Sequence, residues 1–221
     1  GNDWFNLMCE TTELYLKVAE GEKDAKKRSA ALASAEKLAD QPLWRDDEPV
    51  YFGRALSMKA HIEQMRGNVD RAEEIIEEYK PQLIDLHEQI MANDPDGSLN
   101  LVKLSPLPEC LYLQARILWD EAQAEMKKPK RDDERIKSLL FGPKDKRTAK
   151  RVGSKGAFQM AVNVFMKYDS SSWAAPAGEL QEQIRTFAEK TYGAKIRTKI
   201  TPEQLAKARE RQFRSAHDKF N

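Results

Sequence analysis

Apolar residues recur every three or four positions along nearly the whole chain, the spacing that buries one stripe of an α-helix. The pattern predicts helices at about 3–20, 23–39, 49–66, 69–92, 107–127, 155–168, 173–192 and 202–219. Strand-type alternation is missing, and no Asn-Gly or Asp-Gly pair sits between alternating runs. Gly21, Gly67 and Gly193 follow periodic segments and serve as helix stops, because glycine takes left-handed backbone angles without a Cβ clash. "TPEQ" at 201–204 supplies an N-cap in Thr201, a proline at the first helical position and Gln204 to close a capping box. "NDPDGS" at 93–98 reads as a loop.

The helices repeat one another in part. "LSMKAHI" at 56–62 aligns with "LYLQARI" at 111–117, matching Leu56 with Leu111, Met58 with Leu113, Ala60 with Ala115 and Ile62 with Ile117. A small residue flanked by larger apolar ones lets a second helix approach closely. "GNVDRAEEIIEEY" at 67–79 follows, with Gly67 at a tight turn and Ala72, Ile76 and Tyr79 on one stripe. Ala60, Gly67, Asn68, Ala72 and Ile76 together resemble the tetratricopeptide repeat, a helix-turn-helix unit of about 34 residues. Val69 and Ile84 depart from the aromatic and closing proline usual there, and weaker second-helix patterns run from Ala30 to Pro42 and from Ala157 to Asp169.

This resemblance implies an all-α fold, a right-handed superhelix of about four helix-turn-helix pairs, forming one domain over 1–221. The segment 202–219 would then be a terminal capping helix, with Ala206, Phe213, Ala216 and Phe220 on its inner stripe. The first helix of each pair lines a concave groove in such proteins. Carried over by position, that puts Arg54, Ser57, His61 and Gln64 on the groove side, and Glu109, Tyr112, Arg116 and Trp119 in the equivalent places. Tyr, Arg and Trp dominate binding hot spots, although Tyr112 and Trp119 also suit packing between pairs, Trp119 at least as well as binding. Trp4, Trp44 and Trp173 are expected to pack between helices. The implied function is a non-catalytic scaffold that holds a peptide or partner protein. A second likeness, over 158–184, is to junctions of bacterial envelope proteins with the same repeat, including outer-membrane assembly lipoproteins, with Asp169 where proline is usual.

Composition narrows the rest. The chain has 221 residues, 33% of them charged, and a mean hydropathy of −0.73; no apolar run approaches the roughly 18 residues that span a bilayer. The first residues, "GNDWFNLMCETTELYL", contain no basic segment followed by an apolar stretch, so no signal peptide is expected in them. A leader removed upstream would leave the same sequence, and the compartment stays open between cell envelope and cytoplasm. Cys9 and Cys110 are expected as buried free thiols.

One stretch stands apart. Residues 127–156 hold twelve Lys and Arg against four Asp and Glu in a chain of net charge +1, which leaves the remainder acidic. They fall between the helices at 107–127 and 155–168, where a short turn belongs, so an inserted loop is expected at about 128–154, in the third pair. The run lacks the spacing of a phosphate-binding loop. As a nucleic-acid handle it would act through Lys144, Lys146, Arg147, Lys150 and Arg151, yet Phe141 is its only aromatic for stacking. The alternatives are a solvated loop or a contact for another protein or a membrane surface. His61, His87 and His217 are scattered, and "ANDPDG" fails as a calcium loop because its bidentate position falls on Lys103. No nucleophile-base motif is present, so neither enzyme activity nor a metal or cofactor is expected.

Overall fold

The computed structural model describes residues 2–41, 48–143, 155–193, 195–196 and 200–217. Among them there is no strand, as the periodicity predicts. The chain divides into two compact units, Gly1–Cys110 and Leu111–Asn221.

The first unit holds α1 (Asn2–Gly21), α2 (Ala25–Ala39), α3 (Pro49–Arg66), α4 (Val69–Ala92), a 3-10 turn at Leu101–Leu104 and the opening residues of α5 (Leu107–Met126). Helix α1 pairs with α2 and α3 with α4, while α3 also touches both helices of the preceding pair. Local chemistry sets the ends. Asp24 caps α2 by accepting the amides of Lys26 and Lys27 at 2.9 and 3.0 Å. Gly67, at φ 84°, closes α3 in the left-handed conformation that a side chain resists. Gly21 is simply the last residue of α1, without a positive φ.

The core of this unit is built from small and medium side chains: Cys9, Leu16 and Ala19 of α1, Ala31, Leu32, Ala35 and Ala39 of α2, and Met58 and Ile62 of α3. Phe52 meets Tyr79 edge-to-face at 6.1 Å across the α3–α4 pair. Beyond α4, the buried Asp94 accepts the amides of Leu99 and Leu101 at 3.0 and 2.9 Å. Its carboxylate thereby orders the predicted loop and is occupied by backbone.

The second unit holds the rest of α5, with α6 (Asp133–Phe141), α7 (Gly156–Lys167), α8 (Ala174–Tyr192) and α9 (Pro202–His217). The predicted capping box is formed: the Thr201 amide donates to Gln204 Oε1 at 3.0 Å, and the Gln204 amide to Thr201 Oγ1 at 3.2 Å. The buried side of α9 differs from the expected stripe. Ala208 is buried and Leu205 half-buried, whereas Ala206 is exposed; the side chains of Phe213, Ala216 and Phe220 lie outside the described residues.

Helix α6 corrects the expected loop at 128–154. Within the basic run, Ile136, Leu139 and Leu140 repeat at helical spacing, and Ile136 and Leu140 are fully buried among Trp119, Ala157, Ala161 and Val164. Asp132 caps the helix by accepting the Arg135 amide at 3.0 Å. The buried Glu125 holds the turn before it, taking Lys128 Nζ at 2.6 Å and the Asp132 amide at 3.4 Å. Lys137 lies 5.0 Å over the Tyr192 ring, whose hydroxyl donates to Asp133 Oδ1 at 3.1 Å, so α6 is pinned to the end of α8. The run's own acids meet part of its charge, with Arg131 at 3.1 Å from Asp133 and Lys137 at 3.4 Å from Glu134. Charge masks this helix in the sequence, because its four apolar residues, Ile136, Leu139, Leu140 and Phe141, are few beside the twelve cations of the run. Lys144, Lys146, Arg147, Lys150 and Arg151 lie outside the described residues.

Glycine 156 completes the junction. At φ 73° it starts α7, and a Cβ there would lie 2.6 Å from the Leu140 carbonyl, so α7 begins directly against the end of α6. If α6 is part of the core, Leu140→Ala lowers unfolding free energy by about 2–4 kcal/mol in chemical denaturation. A loss under about 1 kcal/mol would mean that the helix merely rests on the surface.

Candidate functional site

Two sets of side chains stand out, one in each unit. In the first unit, Arg54, Ser57 and His61 follow one another at helical spacing along α3. Arg54 is mostly buried and reaches α1, donating to Asn6 Oδ1 at 3.1 Å and to Glu13 Oε1 at 2.9 Å. Asn6 and Glu13 are two turns apart on one face of α1, which is why a single guanidinium serves both. Ser57 is fully buried, its hydroxyl donating to the Pro106 carbonyl at 3.3 Å and lying 2.9 Å from Cys110 Sγ. His61 Nδ1 is 3.8 Å from Glu109 Oε1, and Gln64 is half-buried one turn further along.

The electrostatics of this cluster follow from its burial. Burial raises the Glu109 carboxyl above its ordinary 4.5, while the nearby His61 works in the opposite direction. The Cys9 thiol is pushed up to about 11 and the Cys110 thiol to about 12, again chiefly by burial. A nucleophilic cysteine needs the reverse shift. The two thiols are therefore packing atoms, and the cluster is an internal polar tie between α1, α3 and the start of α5.

In the second unit, Tyr112, Arg116 and Trp119 share one face of α5. The Tyr112 ring packs at 5.1 Å from Trp173, which stands at the N-cap of α8, one position before the helix predicted to begin with it. Arg116 is half-buried and donates to Asp120 one turn on at 3.1 Å. Trp119 is buried and meets Phe187 of α8 edge-to-face at 5.7 Å. The Trp119 and Phe187 rings form the floor of a groove of about 500 Å³ between α5 and α8. Its rim is polar, with Gln123 from α5 and Gln183, Thr186 and Lys190 from α8, all exposed. Glu182 also lines it and is held by Arg185 at 2.6 Å.

The structure thus distributes the seven predicted positions unequally. Trp119 lines the groove, Tyr112 and Ser57 are core, Arg116 is half-buried and bonded to Asp120, Arg54 and His61 belong to the polar tie in the other unit, and Gln64 is half-buried on the same helix. The α8 half of the groove was not anticipated, although Gln183, Phe187 and Lys190 recur at helical spacing in the sequence. Trp4, expected between helices, is exposed, and Trp44 lies outside the described residues. Among the described residues, no three acidic, His or Cys side chains are placed to hold a metal, and no helix is long and apolar enough to cross a membrane.

The raised thiols have a chemical consequence: alkylating reagents that require thiolate label neither Cys9 nor Cys110 in the native chain at mildly alkaline pH, and label both after denaturation. A native thiol that reacts at its denatured rate would contradict the burial described above. Comparison with known proteins gives no match, whether to family models, to curated proteins or to solved structures.

Proposed function

We propose that this chain is a non-catalytic binding module and that the α5–α8 groove receives an extended or helical segment of a partner protein. The observation that carries the reading is the construction of the groove: an aromatic floor from Trp119 and Phe187 beneath a rim of amides, a hydroxyl and the Lys190 ammonium. Aromatic floors provide the apolar burial of binding hot spots, and a polar rim orients the ligand. Lys190 favours a ligand with an acidic side chain or terminal carboxylate close to its apolar anchor.

The packing of α3 against both helices of the preceding pair supports the tetratricopeptide-like reading, in which first helices line a shared groove. In that reading α5 and α8 are the first helices of successive pairs, with α6 an addition within the earlier one. No comparable observation favours a nucleic-acid or cell-envelope role.

Selection from a displayed random-peptide library tests the proposal. Peptides with an aromatic or aliphatic anchor next to an acidic residue are expected to be enriched. Thr186→Arg and Lys190→Glu change exposed rim positions and should weaken their binding about tenfold or more, with helix content unchanged. Enriched peptides indifferent to both substitutions, or no enrichment at all, would contradict the groove as the binding site.

A further inference from the structure

Helix α1 carries large apolar side chains on the side away from its own core. Trp4, Leu7, Leu14 and Val18 are 59%, 54%, 53% and 57% exposed, although Cys9, Thr12, Leu16 and Ala19 of the same helix are buried. With Thr11 between them, they occupy positions 4, 7, 11, 14 and 18, alternating steps of three and four. That is the spacing of a coiled-coil seam, the stripe one helix presents to another. Thr11 fits within it because its hydroxyl already donates to the Leu7 carbonyl at 2.7 Å. Exposed singly, such residues need no explanation; four on one seam over more than three turns amount to a contiguous apolar surface.

The residues flanking the seam identify what covers it. Glu10 and Lys17 lie seven positions apart on the same edge, and Lys17 is exposed. In an antiparallel pair of identical helices, residues on this edge face the same edge of the other helix. When Leu7 is set opposite Val18 of a second copy, and Thr11 opposite its Leu14, Glu10 falls opposite its Lys17. Two-fold symmetry makes the pairing twice over. The asparagine bonded to Glu10, Asn6 at 3.0 Å, leaves the carboxylate further acceptor capacity toward the ammonium. The stripe and its charges are thus self-complementary in one orientation.

We propose that the seam of α1 is the interface through which two copies of this chain associate, antiparallel, with Trp4, Leu7, Leu14 and Val18 buried between them. The surface belongs to the first unit and the α5–α8 groove to the second.

Sedimentation velocity on the full chain, from micromolar to hundreds of micromolar, tests this directly. A reversible dimer is expected. Leu14→Asp should leave a monomer with unchanged circular dichroism, since Leu14 is exposed and its own unit does not need it. Glu10→Lys and Lys17→Glu each create two like-charge contacts and should weaken association about tenfold or more, while the double exchange restores it. A chain that stays monomeric throughout would overturn the proposal. So would a dimer insensitive to Leu14→Asp, or charge exchanges whose combination fails to rescue.

Discussion

Close approach between helices at positions with almost no side chain is the constraint on which both units depend. In α3, a Cβ on Gly53 would lie 2.7 Å from the Pro106 ring and 3.1 and 3.2 Å from methyl groups of Leu83 and Leu86. In α8, one on Gly178 would lie 2.7 Å from Leu205 and 2.9 Å from the Phe165 ring. Alanine does the same work elsewhere, fully buried at Ala35, Ala60, Ala72, Ala115, Ala157 and Ala161. Interiors are packed to the density of organic crystals, so a crossing built on hydrogen or methyl has no space for more. Helices held this close fix which faces remain outside, and those faces are where binding can occur.

The two units use their polar residues differently. In the first, Arg54, Ser57, His61 and Glu109 are turned inward: Arg54 bonds Asn6 and Glu13, Ser57 bonds the Pro106 carbonyl, and His61 lies 3.8 Å from Glu109. In the second, the corresponding face of α5 carries aromatic rings, and the amides, hydroxyl and ammonium beside them stay exposed. Aligned positions in "LSMKAHI" and "LYLQARI" thus share their helical role while their neighbours decide between core and groove. That is why Arg54 and Ser57 could not be separated from Arg116 and Trp119 by spacing alone.

Much of the backbone was legible because helix ends carry local chemistry. The bounds of α3 and α4 coincide with the periodic segments, since Pro49 opens one and Gly67 divides them; the capping box of α9 is read directly from "TPEQ". Helix α6 was hidden because its apolar content is four residues and its burial depends on partners more than fifteen positions away in α5 and α7. The exposed seam of α1 was hidden for a related reason. Trp4, Leu7, Leu14 and Val18 have the spacing of a core stripe, and only the placement of α2 and α3 reveals that Cys9, Leu16 and Ala19 are the residues turned inward. The groove needed α8 beside α5, a neighbour relation that periodicity does not supply.

The central claim is that these crossings are limited by contact, and substitution of Gly53 by alanine tests it because two effects oppose each other there. Alanine gains about 0.8–1.0 kcal/mol in intrinsic helix propensity over glycine. Overfilling a packed site costs typically about 1–3 kcal/mol. With the rigid Pro106 ring and two leucines around the added methyl, the packing cost should exceed the propensity gain, and the denaturation midpoint of Gly53→Ala should fall below that of the parent chain. An unchanged or higher midpoint would show that the helices have room at this crossing and contradict the account.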